Sequence, residues 1–563
     1  KTAATSLPAL AQEGPVDRRV AAIRSCAQLG DPTSIPLLFE LAKDRETAVS
    51  SAALAALTGV PVAEADTALL ALLLELTDNR RIAVIDAISQ RRVLAAVPSL
   101  LKCAADPDAG VANAAFQALG ELAEARAIPS IIDALNQTKA LSAGENALTA
   151  ICARQTDRSQ CAKLLAEGFT KTSGEAKLAV LRVLGTVGGE TALDAVRAAT
   201  REPDKEVKET ALRVLCDWPT PEALPDLAEL TKTTPDQKFR ILALRAQLRL
   251  IPAQTSSDES KIAQLKEIIP MLERPEEKRL ALAALVNIPT AEALALVVPH
   301  FDSEGVKEEA ADAAVSIAEK IVKNNPAKVA EVINLVRTNN KKLLERTRAL
   351  RETAVATLQQ QGFVPIFNGK DMQGWDGKPG WWQVEDSALT SESTPDKPCP
   401  KANYLIWRGG RPSNFELLID FKLSSEGNSG IQIRSEERPD WDTFGYQADM
   451  TGNGDLIGYI YHHSRGLVAG RGEKVTFGPD GSRSVDRFAN PDELLKRFRP
   501  GEWNTYRIVC NGTDISVYLN GTLMCHVTDR SPQAPAQGII ALQMHPGPPM
   551  KVQFKNILLR ELR

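Results

Sequence analysis

Apolar positions recur at helical spacing through roughly the first 340 residues and alternate at strand spacing from about residue 362 onward, so one chain carries two architectures. In the first part an apolar helix repeatedly ends on a small or turn residue: VAAIRSCAQLG to Gly30, VSSAALAALTG to Gly59, VANAAFQALG to Gly120, AVLRVLG to Gly185 and KETALRVLC to Cys216. Less regular copies end near Gln90, Ile151, Leu250, Ile288 and Ile317, which makes the spacing 29 to 38 residues. That is a solenoid period. Each unit pairs this helix with a second apolar one, as at 34–44, 96–108, 127–135 and 223–231, often entered through Pro in the first turn. One pair cannot bury both its faces, so the units are expected to stack around a shared core over residues 1–340. KKLLERTRALRETAVATLQQQG (341–362) reads as one long charged helix that caps the stack and leads into the next domain.

From Phe363 to Arg563 short alternating runs are separated by Gly, Pro, Asn and Asp, the pattern of an all-β sandwich or jelly roll. Predicted strands include WWQVED (381–386), FELLIDFKL (415–423), SGIQIRS (429–435), TYRIVC (505–510), DISVYL (514–519), TLMCHV (522–527), GIIALQMH (538–545) and KVQFKNILLREL (551–562). The Asn520-Gly521 pair predicts a type I′ hairpin that opposes Leu519 to Thr522 and Ser516 to Cys525. The NGTD turn then pairs Cys510 with Ile515, whose other neighbour becomes His526. On that register Cys510 and Cys525 lie two strands apart on opposite faces, beyond the ~7 Å limit for a bridge, and both are expected to be free. Cys152 and Cys161 are near enough in sequence to pair across a helical hairpin, with two buried free thiols as the alternative.

Composition sharpens the boundary. All six Tyr, six of the seven Trp and 23 of the 35 Gly lie from residue 362 onward, so the aromatic core and the turns belong to the second part alone. A net charge of −4 from 67 basic and 71 acidic residues leaves no basic footprint for nucleic acid. No run of 18 apolar residues is present, so no transmembrane segment is expected. The helical part has one histidine, His300, and no cluster at metal-ligand spacing; its expected role is to offer an extended concave surface to a protein partner or to support the sandwich.

Candidate chemistry concentrates between Gly430 and His463. GIQIRS, GYQADM and GYIYHH read as three consecutive strands that set Gln432, Arg434, Gln447, Asp449, Tyr461 and His462 where alternation sends side chains to a shared face. A structural sheet takes Val or Ile at such positions, so the polar row is expected to face a ligand, with a solvated outer face as the alternative. Trp441, Tyr446 and Tyr461 are interleaved with it and offer aromatic faces to the C–H face of a sugar. Trp441, flanked by Pro439, Asp440 and Asp442, reads as loop and as a ligand contact, whereas Trp375 and Trp503 are assigned to structure. The Gly-rich DMTGNGD (449–455) lacks the spacing of a known calcium loop and reads as a plain turn.

Two resemblances follow from these residues. The V-x-x-x-A-x-x-A-L-G pattern and its period resemble short HEAT repeats, which implies architecture and no chemistry. The run FVPIFNGKDMQGW (363–375), WWQVEDSAL, NFELLIDFKL, NSGIQIRS, GYQADM, PGEWNTYRI, VYLNGT and GIIALQMHPGPPMKVQFKNI together resembles the 3-keto-disaccharide hydrolase-like domain, a concanavalin-like sandwich. That resemblance implies a carbohydrate substrate already oxidised to a ketone at sugar carbon 3, with glycosidic cleavage by hydrolysis or elimination. The ketone acidifies the C2 proton, so the site needs a base and an oxyanion stabiliser rather than two carboxylates astride the bond. Asp449 or a histidine, with His545 in LQMHPG the foremost, is then the base; Arg434, Gln432 or a divalent metal ion stabilises the enolate, and Gln447, Tyr446, Trp441 and Tyr461 contact the sugar. Relatives place an acid where this chain has His462, so His462 either takes over that role or marks a lost activity. The runner-up reading is a non-catalytic glycan- or protein-binding module on a HEAT scaffold, and a purely structural assembly protein is the third. The combination is similar to large exported proteins of bacteria such as planctomycetes, which implies a periplasmic or secreted protein whose signal peptide has been removed. The chain itself opens at KTAATSLPALAQEG, which is not a signal-peptide pattern.

Overall fold

The computed structural model describes residues 2–563, apart from the side chains of residues 2–6 and of Asp78; Lys1, where the expected solenoid begins, lies outside the described residues. The chain divides into two compact units, Lys1–Ala253 and Gln254–Arg563. Long helices begin at Val16, Thr47, Asp78, Ala109, Leu141, Gly174, Lys205, Gln237, Pro275, Lys307 and Lys341, 31 to 38 residues apart. Among the described residues no helix is long and apolar enough to cross a membrane.

In the first unit each long helix packs on the next of its kind, Asp78–Arg91 on Ala109–Leu122 and Ala109–Leu122 on Leu141–Ala153. Two repeat glycines expected to end helices lie inside them instead. A Cβ on Gly120 would stand 3.2 Å from the Ala147 Cα, and one on Gly185 would stand 2.5 Å from Val214 Cγ1. These glycines are kept for close helix approach, whereas Gly30, at φ 62°, is the expected left-handed cap. The helix ends are satisfied by a device that recurs along the array. Arg91 donates to the carbonyls of Thr58 (3.0 Å) and Val60 (2.5 Å), Arg154 to Ala123 (2.5 Å) and Arg249 to Trp218 (2.8 Å). Each reaches back one repeat to carbonyls that end the preceding helix, where a cation also meets the negative end of the dipole. Arg81 with Asp106 and Lys177 with Glu202 form a second ladder, both pairs 25 residues apart in sequence.

In the second unit the long helices run to Gln360, and seventeen strands follow with one short helix, Pro491–Leu495, among them. They are β1 Val364–Pro365, β2 Trp375–Gly377, β3 Trp382–Glu385, β4 Ala388–Glu392, β5 Asn403–Trp407, β6 Phe415–Leu423, β7 Asn428–Arg438, β8 Asp442–Thr451, β9 Tyr459–His462, β10 Gly466–Ala469, β11 Glu473–Phe477, β12 Arg483–Arg487, β13 Asn504–Asn511, β14 Asp514–Leu519, β15 Thr522–Asp529, β16 Ile539–Met544 and β17 Lys551–Glu561. One sheet has the order β12-β11-β15-β14-β13-β6-β17-β4-β3, with β1 added on β17; the other has the order β10-β9-β8-β7-β16-β5-β2. Their facing sides share one core that includes Phe415, Phe421, Ile431, Ile433, Tyr446, Tyr506, Leu542 and Phe554. The all-α array followed by a two-sheet β sandwich is the fold class that the sequence predicts.

The hairpin register departs from expectation at one place. Leu519 opposes Thr522 and Cys510 opposes Ile515 as predicted, but a bulge beyond Tyr518 moves Cys525 opposite Val517 and His526 opposite Ser516. The bulge turns Cys525 into the core, on the same side as Cys510, rather than onto the opposite face. The strand between them still keeps the thiols apart, and all eight cysteines, Cys152 and Cys161 included, are free and buried.

Within the second unit, helices Pro326–Ile333 and Lys341–Gln360 lie against the outer side of the ten-stranded sheet. Leu358 packs with Phe363, Leu418 and Leu558. Around that seam the buried carboxylate of Asp420 accepts from Asn334 Nδ2 (2.9 Å), Thr505 Oγ1 (2.6 Å), Asn556 Nδ2 (2.6 Å) and Arg351 (3.2 Å). Arg507 donates Nε to Glu331 (2.8 Å) and Nη1 to Glu416 (3.2 Å). The charged helix read as a cap is therefore also a docking element for the sandwich.

Candidate active site

The seven-stranded sheet has one side in the sandwich core and the other turned outward. Along β8, Tyr446, Ala448 and Met450 enter the core, so Gln447 and Asp449 face outward. Register places Gln432 of β7 and Tyr461 of β9 on either side of Gln447, and Gly430 and Tyr459 on either side of Asp449. The predicted polar row thus exists for Gln432, Gln447, Asp449 and Tyr461. Gln432, Gln447 and Asp449, together with Ser435, are hydrogen-bonded in series. Ser435 Oγ donates to Gln432 Oε1 (2.7 Å), Gln432 Nε2 to Gln447 Oε1 (2.6 Å) and Gln447 Nε2 to Asp449 Oδ1 (2.5 Å). A Cβ on Gly430 would stand 2.3 Å from the Gln447 amide carbon, so glycine is required there for the amide to lie across the strands.

Asp449 is the electrostatic centre. Its side chain is almost fully enclosed, with 6% exposure. Burial pushes its carboxyl up to about 7, and the Gln447 amide opposes this only in part. Its backbone carbonyl accepts from Tyr506 Oη (2.7 Å), which also receives Gly458 N–H (2.6 Å) and so ties down the turn after β8. That turn is a plain one, in which Asn453 bonds Asp455; among the described residues no three His, Cys, Asp or Glu converge as metal ligands.

Three residues grouped with Asp449 by sequence, Arg434, Tyr446 and His462, do not join it. Arg434 sits in a bulge between Ile433 and Glu436 at φ 47°, which breaks the alternation that would have placed it beside Gln432. It is buried and donates to the carbonyls of Ser413 (2.6 Å) and Gly512 (2.8 Å) and to Asn414 Oδ1 (3.2 Å), holding loops rather than facing a ligand. Arg434→Lys, which forfeits the fork of donors, is expected to lower unfolding free energy by about 2–4 kcal/mol, read as a denaturant midpoint. Tyr446 and His462 lie beneath the sheet. Tyr446 bonds Asp529 and Arg465, and His462 stacks edge-on against it at 4.8 Å between centroids. Burial and then the Arg465 charge pull His462 down to about 4, so it is neutral at pH 7. His545 follows the end of β16, half-buried, with Nδ1 2.5 Å from the Pro546 carbonyl.

Trp441, at φ 50° in the turn from β7 to β8, packs on the outward cluster of Tyr404, Ile406, Ile539 and Ala541, and its Nε1 donates to Asp376 (3.0 Å). The same face carries groups that the sequence reading left out. Gln543 Nε2 donates to Tyr404 Oη (2.9 Å), while Gln543 Oε1 is buried without a partner. Alternation in NYLIW and IIALQM was the available signal, hidden because both runs are almost wholly apolar.

Residues 362–560 match the family of 3-keto-alpha-glucoside-1,2-lyase-like domains. HEAT repeats match at 4–89 and 161–247. The sandwich and the helical array thus carry the two resemblances read from the sequence. Among solved structures, a putative glycosyl hydrolase from Parabacteroides distasonis is 22% identical, covering 36% of this chain and 99% of its own, at a TM-score of 0.25. The carbohydrate binding module CBM66 from Bacillus subtilis is 15% identical over 35% of this chain and 99% of its own, at 0.24. The karyopherin Kap121p is 14% identical over 62% of this chain and 46% of its own, at 0.42. Among curated proteins none matches.

Proposed function

We propose that the sandwich cleaves 3-keto-glycosides by elimination, with Asp449 as the base at C2. The observation that carries this reading is an enclosed carboxyl whose pKa lies near neutrality, on an outward face flanked by Tyr459 and Tyr461, in a domain matching the 3-keto-glucoside lyase-like family. A carboxylate of ordinary pKa is a weak base, and raising its pKa to the working pH strengthens it while leaving about half of it ionised. Asp449 takes the C2 proton; the C2–H electron pair forms the enolate with the C3 carbonyl. As the enolate collapses, the C1–O bond breaks with its electron pair on the leaving oxygen, which is then protonated. The products are a 1,2-unsaturated 3-keto sugar and an alcohol, and addition of water to the former gives net hydrolysis. With Arg434 engaged elsewhere, a neutral donor serves the enolate oxygen. Tyr404 suits this role, because Gln543 donates into its oxygen and its phenol otherwise meets only the Thr443 side chain, a contact that a ligand oxygen would replace. The helical array acts as the scaffold that presents this domain to a glycan or protein partner.

Incubation of the full chain with a 3-keto-glucoside carrying a chromogenic leaving group, with and without chelator, is expected to release that group in both samples and to yield nothing from the 3-hydroxy parent glycoside. Binding of the 3-keto-glycoside without release would leave a glycan-binding module in place of the enzyme.

A further inference from the structure

The hydrogen-bonded series from Ser435 to Asp449 has a direction. Each carboxamide offers an N–H at one end and an oxygen at the other, so turning one amide forces its neighbour to turn. As it stands the series runs hydroxyl to Gln432 oxygen, Gln432 N–H to Gln447 oxygen, and Gln447 N–H to Asp449, which suits an ionised acceptor-only carboxylate. When the proton sits on Asp449 Oδ1, the oxygen that Gln447 faces, its O–H needs an acceptor, which Gln447 supplies by presenting its own oxygen. Gln447 N–H then faces Gln432 oxygen, and Gln432 N–H faces the Ser435 oxygen. The last proton must go elsewhere. Two acceptors are already in place: the carbonyls of Ile433 and Tyr446, each 3.1 Å from Ser435 Oγ.

We propose that Ser435 is a positioning residue that sets the polarity of this amide relay, and that the relay reverses when Asp449 takes up a proton. The proposal rests on the reading of Asp449 as a base for its catalytic meaning, but the coupling itself belongs to the free protein. The serine is fully buried, so solvent does not substitute for it. Its hydroxyl is the group that lets an acceptor, the Gln432 oxygen, stand beside two backbone carbonyls without repulsion. Once it is removed, Gln432 is better placed with its N–H toward those carbonyls, which favours the reversed series and a protonated Asp449. Other groups facing Asp449 are the phenols of Tyr459 across the β8–β9 pair, Tyr506 from the core and Tyr404, with the Arg471 guanidinium beyond the Tyr459 ring at 4.9 Å. None of these lies in the series, so none transmits a change made at Ser435.

The test reads protonation rather than turnover. In the deuterated 563-residue chain labelled in glutamine and aspartate, the side-chain amide resonances of Gln432 and Gln447 are expected to shift together with the Asp449 carboxyl carbon at one midpoint. Ser435→Ala is expected to raise that midpoint by about one pH unit, as a lost charge-assisting contact does. In a Gln432→Met background, where the series is cut, Ser435→Ala should move it no further. The proposal is overturned if Gln447 follows Asp449 while Gln432 stays still, if Ser435→Ala leaves the midpoint in place, or if it moves the midpoint equally with the series cut. Because no substrate is present, absence of 3-keto-glycoside cleavage would refute the proposed activity without touching this result.

Discussion

Asp449→Asn is expected to give a protein that loses turnover of 3-keto-glycosides by on the order of a hundredfold to ten-thousandfold, the usual worth of a general base, and that is more stable than its parent above pH 7. The two effects have one cause. Burial holds the folded carboxyl at about 7 against an ordinary value of 3.8. Between those two values the folded state keeps a proton that the unfolded chain has released. Stability contributed by this group is therefore fully present below pH ~4, falls as pH rises toward 7, and stays lost above it. Asparagine has no proton to lose, and its amide oxygen still accepts from Gln447, so the variant lacks this slope. Urea midpoints measured from pH 4 to pH 8 should coincide for the two proteins at the acid end and separate by the equivalent of a few kcal/mol at the alkaline end. In the parent, turnover should climb through pH 7 as Asp449 ionises, while stability declines across the same interval. A variant that tracks the parent's stability at every pH would mean that Asp449 titrates like an exposed acid, and its claim to be a base near neutrality would fall with that.

Both architectures were legible in the sequence, because each is written in a periodicity that burial enforces. The helical period survives Gly120 and Gly185, whose close helix contacts keep the pattern although they do not end the helices. The sandwich strands follow alternation closely enough that β6 and β14 fall on the predicted bounds. The site was legible only in part, because alternation is a rule about regular strands and the decisive places are irregular. One bulge at Arg434 turns an apparent oxyanion donor into a loop anchor, and another beyond Tyr518 moves Cys525 into the core. Tyr446 and His462 were misassigned differently. Aromatic and imidazole side chains are at home on either side of a sheet, and only the neighbouring Ala448 and Met450 reveal which side is the core. Ser435 gives no sign in sequence at all, since its role depends on the Gln432 amide turned toward it and on the Gln447 amide beyond.

Arg507→Ala is expected to cost the second unit about 3–5 kcal/mol, the usual penalty for removing one partner of a buried ion pair. The guanidinium stands between two carboxylates, Glu331 on the helix Pro326–Ile333 and Glu416 on β6, and lies 3.8 Å over the Tyr518 ring. The Glu331 side chain has no exposure and Glu416 only 9%, so water does not take the place of the lost donors. Burial already pushes Glu331 upward, with Arg507 the first of the charges that oppose this. Without it the cheaper course is protonation of Glu331 or displacement of its helix. The loss should therefore appear as early protease cleavage between residues 326 and 351, ahead of the sandwich itself. Glu331→Met combined with Arg507→Met, which leaves neither charge of that pair stranded, should recover much of the difference, since apolar replacement of a whole buried pair is often close to neutral. The separate domain that we propose from residue 363 onward should behave likewise: it keeps the sandwich core but leaves Asp420 without Asn334 and Arg351, and so should unfold at a lower denaturant midpoint than residues 254–563. If Arg507→Ala instead melts with its parent, the helices are held by the Leu358, Phe363, Leu418 and Leu558 seam and the Asp420 network, and the Arg507 pairs serve only to fix where they dock.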